Sequence, residues 1–218
     1  FLVNAKKPNL AIIGGSKIST KIKLIYKIVS LFDTVVIGGA MANTFLLSND
    51  IKVGNSIVEK SHTEVAKDIQ IKAKINNCKL ILPIDFVGSK NLKDKNIISR
   101  NINNVSDDLM ILDIGSQTSK LISNEILRSR SILWNGPLGA FEFKPFEKSS
   151  IYIANRIKEH SKQLQIDTMV GGGDTLSVIN MAKANDGFKY LSNAGGAFLE
   201  WLEGNKSPGV IALEENDI

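Results

Sequence analysis

Residues 10–21 read LAIIGGSKISTK, an apolar run that leads into a glycine pair and then into a segment with two lysines. The four apolar residues have the length of a strand. In residues 20–31 apolar side chains recur three, four and seven positions apart, which predicts an amphipathic helix. The stretch therefore indicates a strand, a glycine turn and a helix in direct succession.

Glycine turns follow apolar runs in the same way at five further places, residues 38–40, 113–115, 135–137, 171–174 and 193–196. Strands are predicted at residues 10–13, 34–37, 79–82, 109–112, 131–134, 167–170 and 190–192. Helices are predicted at residues 20–31, 41–47, 63–75, 119–128, 149–161, 175–184 and 196–203. The polar stretch 85–108 is predicted to be loop with short edge strands.

Strands that alternate with helices predict βαβ units and a mainly parallel sheet, in a three-layer α/β/α sandwich. The apolar run 35–37 lacks polar alternation, as expected for a strand covered on both faces. We expect every glycine turn at the edge formed by the carboxyl ends of the strands, where open α/β sheets bind ligands. Glycine lets the backbone approach an anion closely, and a following helix N-terminus favours negative charge. The pattern therefore predicts a phosphate or nucleotide site.

Bulk composition limits the class of protein. The chain has 218 residues, 43% of them hydrophobic, and no Pro/Ser-rich or highly charged linker, so a single domain over residues 1–218 is expected. It begins with Phe1 rather than Met, from which we expect a piece of a longer protein. No apolar run approaches the ~20 residues of a membrane span, and no signal peptide is visible. The only cysteine, Cys78, allows no internal disulfide, which fits the cytoplasm.

The charge pattern argues against nucleic acid as a partner. The net charge is +5, but the lysines are scattered and only 6% of the residues are aromatic, so a base-stacking surface is not expected. Lys17 and Lys21 lie at the predicted start of a helix, where each cation opposes the helix dipole by roughly 0.3–1 kcal/mol. That placement is reasonable if an anion lies between them and the backbone amides. The alternative is two solvated lysines on an exposed turn.

A second candidate anion site lies at residues 171–175, with the sequence GGGDT after a predicted strand. Gly171, Gly172 and Gly173 permit close backbone approach. Asp174 is either a Mg²⁺ ligand beside phosphate oxygens or simply the N-cap of the next helix. Thr175 would offer its hydroxyl or its amide to a phosphate.

Two further turns carry polar groups. Asn135 can donate to a phosphate without adding charge, and Glu142 either accepts hydrogen bonds from ribose hydroxyls or is a surface carboxylate. Gly195 and Gly196 precede a predicted helix, so that turn either receives an oxyanion or is only a tight connection. The Walker motif, the dinucleotide fingerprint G-x-G-x-x-G and the protein-kinase motifs are absent.

Seven strings in order resemble phosphoglycerate kinase: GGSKISTK (14–21), GGAMANTFL (38–46), LPIDFV (82–87), LDIG (112–115), WNGPLGAFE (134–142), GGGDT (171–175) and AGGAFLEWLEGN (194–205). The resemblance runs from about residue 10 to residue 208 and concerns the C-terminal, Rossmann-like nucleotide-binding half. The N-terminal half of the family, which holds 3-phosphoglycerate, is missing. Two positions depart from the common pattern: Asn193-Ala194 stands where Thr-Gly is common, and Ser116 stands where proline is common.

The resemblance implies a phosphotransferase that acts on a carboxyl group, in glycolysis. Such a monomeric kinase transfers a phosphoryl group reversibly between 1,3-bisphosphoglycerate and ADP, with Mg²⁺, to give 3-phosphoglycerate and ATP. This chain alone would bind Mg-ADP or Mg-ATP and be nearly inactive. By resemblance, the transferring phosphoryl group is stabilised by Lys17 and by the amides of Gly195 and Gly196. The nucleotide phosphates are contacted by Lys21, Asn135, Gly136 and Thr175, and the metal is bound by Asp174. The ribose is bound by Glu142, and the nucleoside pocket is lined by Gly39 and Leu138.

Two other functions remain open from the sequence. One is a non-catalytic nucleotide-binding module that acts through a partner. The other is a nicotinamide-dependent oxidoreductase on a similar fold, which the missing dinucleotide fingerprint disfavours.

Overall fold

The described part of the chain covers residues 5–193 in a computed structural model. The predicted helix 196–203, Gly195 and Gly196 lie outside the described residues. Within residues 5–193, no helix is both long and apolar enough to cross a membrane.

A six-stranded parallel sheet forms the centre of the fold, with the order β3-β2-β1-β7-β8-β9. Its strands are β1 (Asn9–Ile13), β2 (Thr34–Ile37), β3 (Lys79–Ile81), β7 (Ser131–Asn135), β8 (Asp167–Gly171) and β9 (Tyr190–Ser192). Chain order runs outward from β1 through β2 to β3 on one side and from β7 through β8 to β9 on the other. The direction of winding therefore reverses between β1 and β7, which makes a topological switch point.

Helices cover both faces of this sheet. They are α1 (Ile22–Ile28), α2 (Met41–Ser48), α3 (Thr63–Ile75), α4 (Ser116–Arg128), α5 (Lys148–Leu164) and α6 (Gly173–Met181). Ala11 and Ile13 of β1 pack in a core with residues of α1, α2 and α3, whereas Leu10 and Ile12 pack with residues of α4, α5 and α6. Because successive strand residues point to opposite faces, β1 is buried on both sides, and the predicted three-layer sandwich is confirmed.

A second, three-stranded antiparallel sheet was not predicted. It consists of β4 (Asp85–Ser89), β5 (Ile98–Asn101) and β6 (Met110–Ile114), in the order β5-β4-β6. The apolar run 109–112 was assigned to the parallel sheet, but it pairs with β4 and belongs to the small sheet. This sheet encloses its own core, which includes Phe86, Ile102 and Leu109.

The expectation that every glycine turn lies at the edge of the parallel sheet is wrong for residues 113–115. This turn leaves the small sheet and leads into α4, where the Asp85 carboxylate accepts hydrogen bonds from the backbone N–H groups of Gln117 and Thr118, both at 2.8 Å. A Cβ on Gly115 would lie 2.1 Å from the Asp85 carboxyl carbon. The glycine is therefore needed for contact with a carboxylate that caps a helix, a role for which no anion is required.

The predicted helices and strands of the parallel sheet agree with the structure to within a few residues. Helix ends differ by up to three residues, as in α1, which begins at Ile22 rather than at residue 20 and ends at Ile28 rather than at residue 31. A turn precedes it, in which the N–H of Lys21 donates to the Ile18 carbonyl at 2.8 Å. Lys21 is consequently the N-cap residue of α1.

Candidate functional site

Three glycine loops meet at the switch point between β1 and β7. The N–H of Gly14 donates to the Asn135 carbonyl at 2.9 Å, and the N–H of Gly15 donates to the Pro137 carbonyl at 3.1 Å. The N–H of Gly39, in the loop after β2, donates to the Leu138 carbonyl at 3.0 Å. The loops after β1, β2 and β7 thus form one hydrogen-bonded rim at the carboxyl ends of the strands.

This rim has no room for larger residues at its closest points. A Cβ on Gly14 would lie 2.0 Å from the Pro137 carbonyl oxygen, and one on Gly136 would lie 2.2 Å from the Gly14 carbonyl oxygen. Gly136 also has a φ of +98°, a conformation that favours glycine. Glycine is therefore required here so that two backbones can touch.

Lys21 closes the rim from α1. Its ammonium group donates to the carbonyl oxygens of Gly14 at 2.7 Å and Asn135 at 3.2 Å. Burial lowers the pKa of the Lys21 ammonium group to about 8, while the nearby negative charge of Asp174 acts in the opposite direction. Lys21 therefore brings a positive charge to the point where β1, β7 and the start of α6 converge.

Asp174 lies in the first turn of α6 and is exposed. The N-cap residue of this helix is Gly172, with a φ of +99°, so the N-cap alternative for Asp174 is wrong. Within residues 5–193 the Asp174 carboxylate makes no hydrogen bond or ion pair to another residue. It is thus a free carboxylate directed at the same cleft that the glycine rim borders.

Thr175 and Asn135 are buried, and their side chains are engaged inside the protein. The Thr175 hydroxyl accepts from the N–H of Gly136 at 2.7 Å and donates to the Gly171 carbonyl at 3.0 Å. The Asn135 side-chain amide donates to the same carbonyl at 2.8 Å. The sequence suggested direct phosphate donors, whereas these two side chains join the ends of β7 and β8. The first hydrogen bond of α6 runs from the N–H of Leu176 to the Gly172 carbonyl. The backbone N–H groups of residues 173–175 precede it and therefore have no acceptor within the helix.

Lys17 is exposed on a loop with several anchors. Ile18 is fully buried, and the Thr20 hydroxyl donates to the Lys17 carbonyl at 2.9 Å. The Glu59 carboxylate accepts from the N–H of Ser19 at 3.0 Å and from its hydroxyl at 2.6 Å. Sequence reasoning did not find Glu59, because no local signal links it to a loop 40 residues earlier.

A cleft of about 320 Å³ adjoins the rim. Gly39, Leu138 and Glu142, which the sequence analysis assigned to the nucleoside, all line it, and Asp174 lies at its border. β6 of the small sheet, which sequence reasoning missed, also lines the cleft. The N–H of Leu138 donates to the Ser150 hydroxyl at 2.9 Å, so this lining residue is held by α5.

The donor set suits a metal that arrives with its own oxygen ligands. Among residues 5–193, no three His, Cys, Asp or Glu side chains lie close enough together to hold a metal ion. Mg²⁺ commonly uses one or two carboxylates, with phosphate oxygens and water as its other ligands. Asp174, as a free carboxylate beside backbone amides and Lys21, fits that requirement.

Comparison with known proteins gives a consistent result. The profile of the family described as phosphoglycerate kinase matches residues 1–205. The phosphoglycerate kinase of Chelativorans sp. (strain BNC1) is 41% identical over 215 residues, which cover 98% of this chain and 54% of the relative. The phosphoglycerate kinase of Methylorubrum extorquens (strain PA1) is 44% identical over 208 residues, which cover 95% of this chain and 52% of the relative.

A solved structure of phosphoglycerate kinase from Coxiella burnetii matches the fold with a TM-score of 0.92 at 35% identity, covering 99% of this chain and 55% of the other. The chain spans about half the length of the curated relatives it matches. A family profile that matches nearly the whole chain, together with relatives of this similarity, shows that the chain belongs to the phosphoglycerate kinase family.

Proposed function

We propose that this chain is the nucleotide-binding domain of a two-domain phosphoglycerate kinase. Together with a phosphoglycerate-binding domain, it transfers a phosphoryl group reversibly from 1,3-bisphosphoglycerate to ADP, giving 3-phosphoglycerate and ATP, a step of glycolysis. The observation that carries the proposal is the convergence of Lys21, Asp174 and the three glycine loops at the sheet's switch point, beside a cleft large enough for a nucleoside.

The nucleotide phosphates bind at the start of α6. The N–H groups of residues 173–175 have no helical acceptors, and they lie at the positive end of the helix dipole. Lys21 is close by, and a phosphate oxygen competes with the Gly14 and Asn135 carbonyls for its ammonium hydrogens. Gly172 and Gly173 leave the backbone accessible there, whereas Gly171 is buried and contributes through its carbonyl, which binds the Asn135 and Thr175 side chains. Gly136 lets the loop after β7 lie against Gly14. Asn135 and Thr175 contribute by fixing this backbone rather than through their side-chain donors.

Asp174 holds the Mg²⁺ that accompanies the nucleotide. When bound, the metal supplies positive charge that neutralises the phosphate oxygens. The role of Asp174 is to fix that charge relative to Lys21, because one free carboxylate at the cleft border is the protein's share of the metal ligands. The nucleoside occupies the cleft, where Gly39 and Leu138 contact the base and Glu142 accepts hydrogen bonds from the ribose.

Lys17 stabilises the phosphoryl group during transfer. Its side chain is exposed, on a loop that Glu59 and Ile18 hold in place, and the preceding residue, Ser16, lines the cleft. Phosphoryl transfer needs little covalent chemistry from a protein, so position and charge are the main contributions. The amides of Gly195 and Gly196 are proposed to contact the same group, from outside the described residues.

The setting of this enzyme follows from the same proposal. We infer a cytoplasmic monomer that binds ADP or ATP and phosphoglycerate, with no nucleic-acid or membrane partner. The scattered lysines argue against nucleic acid, and the single buried cysteine fits the cytoplasm.

Calorimetric titration of the chain with Mg-ADP tests the proposal. Lys21→Ala and Asp174→Ala are expected to weaken binding about tenfold or more, since each removes a charged partner of the ligand. Lys23→Ala and Asp68→Ala remove exposed charges from α1 and α3 and serve as matched controls. Equal heats for the wild type and both site variants would count against the assignment.

A second assay separates an enzyme from a binding module. The chain is mixed with the phosphoglycerate-binding half of a family member, 1,3-bisphosphoglycerate and Mg-ADP, and ATP formation is followed. A catalytic domain forms ATP, and Lys17→Ala reduces the rate. Normal nucleotide binding without ATP formation would favour a non-catalytic nucleotide-binding module.

A further inference from the structure

Asp113 is a buried carboxylate at the end of β6, only 3% exposed. One carboxylate oxygen accepts from the N–H of Ile114 at 2.9 Å, and the other accepts from the N–H of Ser149 at 3.1 Å. The Ser149 hydroxyl donates to the same carboxylate oxygen as the N–H of Ile114. Ser149 lies in the first turn of α5, so Asp113 joins the small sheet to the start of this helix.

Asp113 also touches the loop that follows β7. A Cβ on Gly139 would lie 2.4 Å from the Asp113 carboxylate and 2.5 Å from the Phe146 carbonyl oxygen. Beside this contact, the N–H of Ala140 donates to the Leu112 carbonyl at 2.7 Å. The loop therefore lies directly against β6, and the Asp113 carboxylate fills the space between them.

These contacts link two parts of the cleft lining. One part is β6, and the other is the segment 137–142, which contains Leu138 and Glu142. Leu138 is held by the Ser150 hydroxyl, the neighbour of the Ser149 that binds Asp113. A displacement of the α5 start would therefore move Leu138.

We propose that Asp113 is a positioning residue for the nucleoside: by binding Ser149 and supporting Gly139, it fixes the segment 137–142 against β6 in the lining of the cleft. This inference rests on the proposed function of the site. It assigns Asp113 no contact with the phosphates, so its loss should affect the nucleoside and leave the polyphosphate in place.

Asp85 provides a matched control. It is equally buried, and it accepts from the N–H groups of Gln117 and Thr118 and from the Thr118 hydroxyl at 2.6 Å. Asp85 thus binds the first turn of α4 as Asp113 binds the first turn of α5, but Asp85 does not line the cleft. Asp85→Asn and Asp113→Asn should disturb folding by the same mechanism, and only the latter should change nucleoside binding.

The test compares MgATP with magnesium tripolyphosphate, which lacks the nucleoside, by calorimetric titration of the whole chain. Asp113→Asn is expected to weaken MgATP binding about tenfold, because a buried donor loses its charged acceptor, and to leave tripolyphosphate binding within about twofold of wild type. Asp85→Asn should leave both affinities unchanged. If Asp113→Asn does not fold, Ser149→Ala replaces it, with Ser119→Ala of α4 as its control.

Three results would overturn the inference: wild-type MgATP affinity in the folded Asp113 or Ser149 variant, an equal loss for tripolyphosphate, or an equal loss in the control variant. Failure of the proposed function gives a different result. In that case the wild-type chain itself binds neither MgATP nor tripolyphosphate.

Discussion

The Thr175 hydroxyl accepts a hydrogen bond from the backbone N–H of Gly136 at 2.7 Å, which joins the loop after β7 to the helix after β8. The same oxygen donates to the Gly171 carbonyl at 3.0 Å, so one buried side chain satisfies both a donor and an acceptor of the rim. The residue that sequence reasoning assigned to a phosphate thus helps to hold the rim in place, next to the proposed phosphate site.

Thr175→Val should destabilise the fold and weaken nucleotide binding together. Valine keeps the shape but leaves the Gly136 N–H without a partner, at a cost of about 1–3 kcal/mol in the free energy of unfolding. Urea denaturation measures that cost, and titration with Mg-ADP measures binding. Thr175→Ser keeps the hydroxyl and is the control. A stable valine variant with weakened binding would instead indicate direct contact between the hydroxyl and a phosphate.

Nucleotide affinity should fall as the pH rises through about 8. The pKa of Lys21 is lowered to about 8 by burial, with Asp174 as the charged group that opposes this shift. A bound phosphate favours the ammonium form, so binding is strongest below this pKa and is accompanied by proton uptake near it. Calorimetry in buffers of different ionisation enthalpy measures the uptake. Lys21→Met should bind weakly without this uptake, and an unchanged uptake in that variant would assign the proton to another group.

Gly136→Ala should be strongly destabilising, whereas Gly173→Ala should not. A Cβ at position 136 meets the Gly14 carbonyl oxygen at 2.2 Å and the Lys21 ammonium at 2.8 Å, with φ at +98°. A Cβ at position 173 would meet no atom of residues 5–193 within 4 Å, and position 173 lies in a helix, where alanine is favoured. We expect a loss of about 3 kcal/mol or more for the first and little change for the second in urea denaturation. Similar stabilities would contradict the requirement for backbone contact between the loops.

The parallel sheet could be predicted because each strand, glycine turn and helix is contiguous in the sequence. Residues 10–31 contain the strand, the glycine turn and the helix of the first such unit. The small sheet could not be predicted, since a short apolar run such as 109–112 does not indicate its pairing partner. This run pairs antiparallel with β4 and so lines the cleft as part of the small sheet, which does not belong to the βαβ units.

The site was predictable at the level of loops but not of individual hydrogen bonds. Sequence analysis brought the segments of Lys21, Asn135 and Asp174 together, and the structure agrees that they converge. It did not show that the Asn135 side chain joins two strands, because its partner, the Gly171 carbonyl, is 36 residues away in the chain. Glu59 and Asp113 escaped notice for the same reason, since their contacts lie far away in the chain.

Glu59→Ala should slow phosphoryl transfer more than it weakens nucleotide binding. The carboxylate holds Ser19 by two hydrogen bonds, and the N–H of Glu59 is itself anchored to the Thr44 hydroxyl at 3.2 Å. Without this support the loop of Lys17 loses its position, and small misplacements of a reacting group can lower a rate by about a hundredfold. We expect the rate of ATP formation with the phosphoglycerate-binding half to fall at least about tenfold. Glu64→Ala, which removes an exposed ion pair on α3, should have no effect on the rate. Equal losses of rate and Mg-ADP affinity would contradict the view that Glu59 acts only by positioning the loop of Lys17.

Asp113 should make the folded state less stable as the pH rises from about 4 to about 7. Burial raises the pKa of its carboxyl to about 7 from an ordinary value of 3.8, and the charge of Glu147 adds to the shift. Between these two values the folded chain binds more protons than the unfolded chain, so stability decreases with pH in this window and is constant above it.

The free energy of unfolding of Asp113→Asn should lack this dependence, so the wild type loses stability relative to the variant between about pH 4 and pH 7. Asp108→Asn is the control, because the pKa of Asp108 is lowered by its hydrogen bonds to Lys90 and Ser106 and its titration lies below this window. A constant difference between wild type and Asp113→Asn across the window would show that this carboxyl is ionised throughout, and that Ser149 and the backbone donors outweigh the effect of burial.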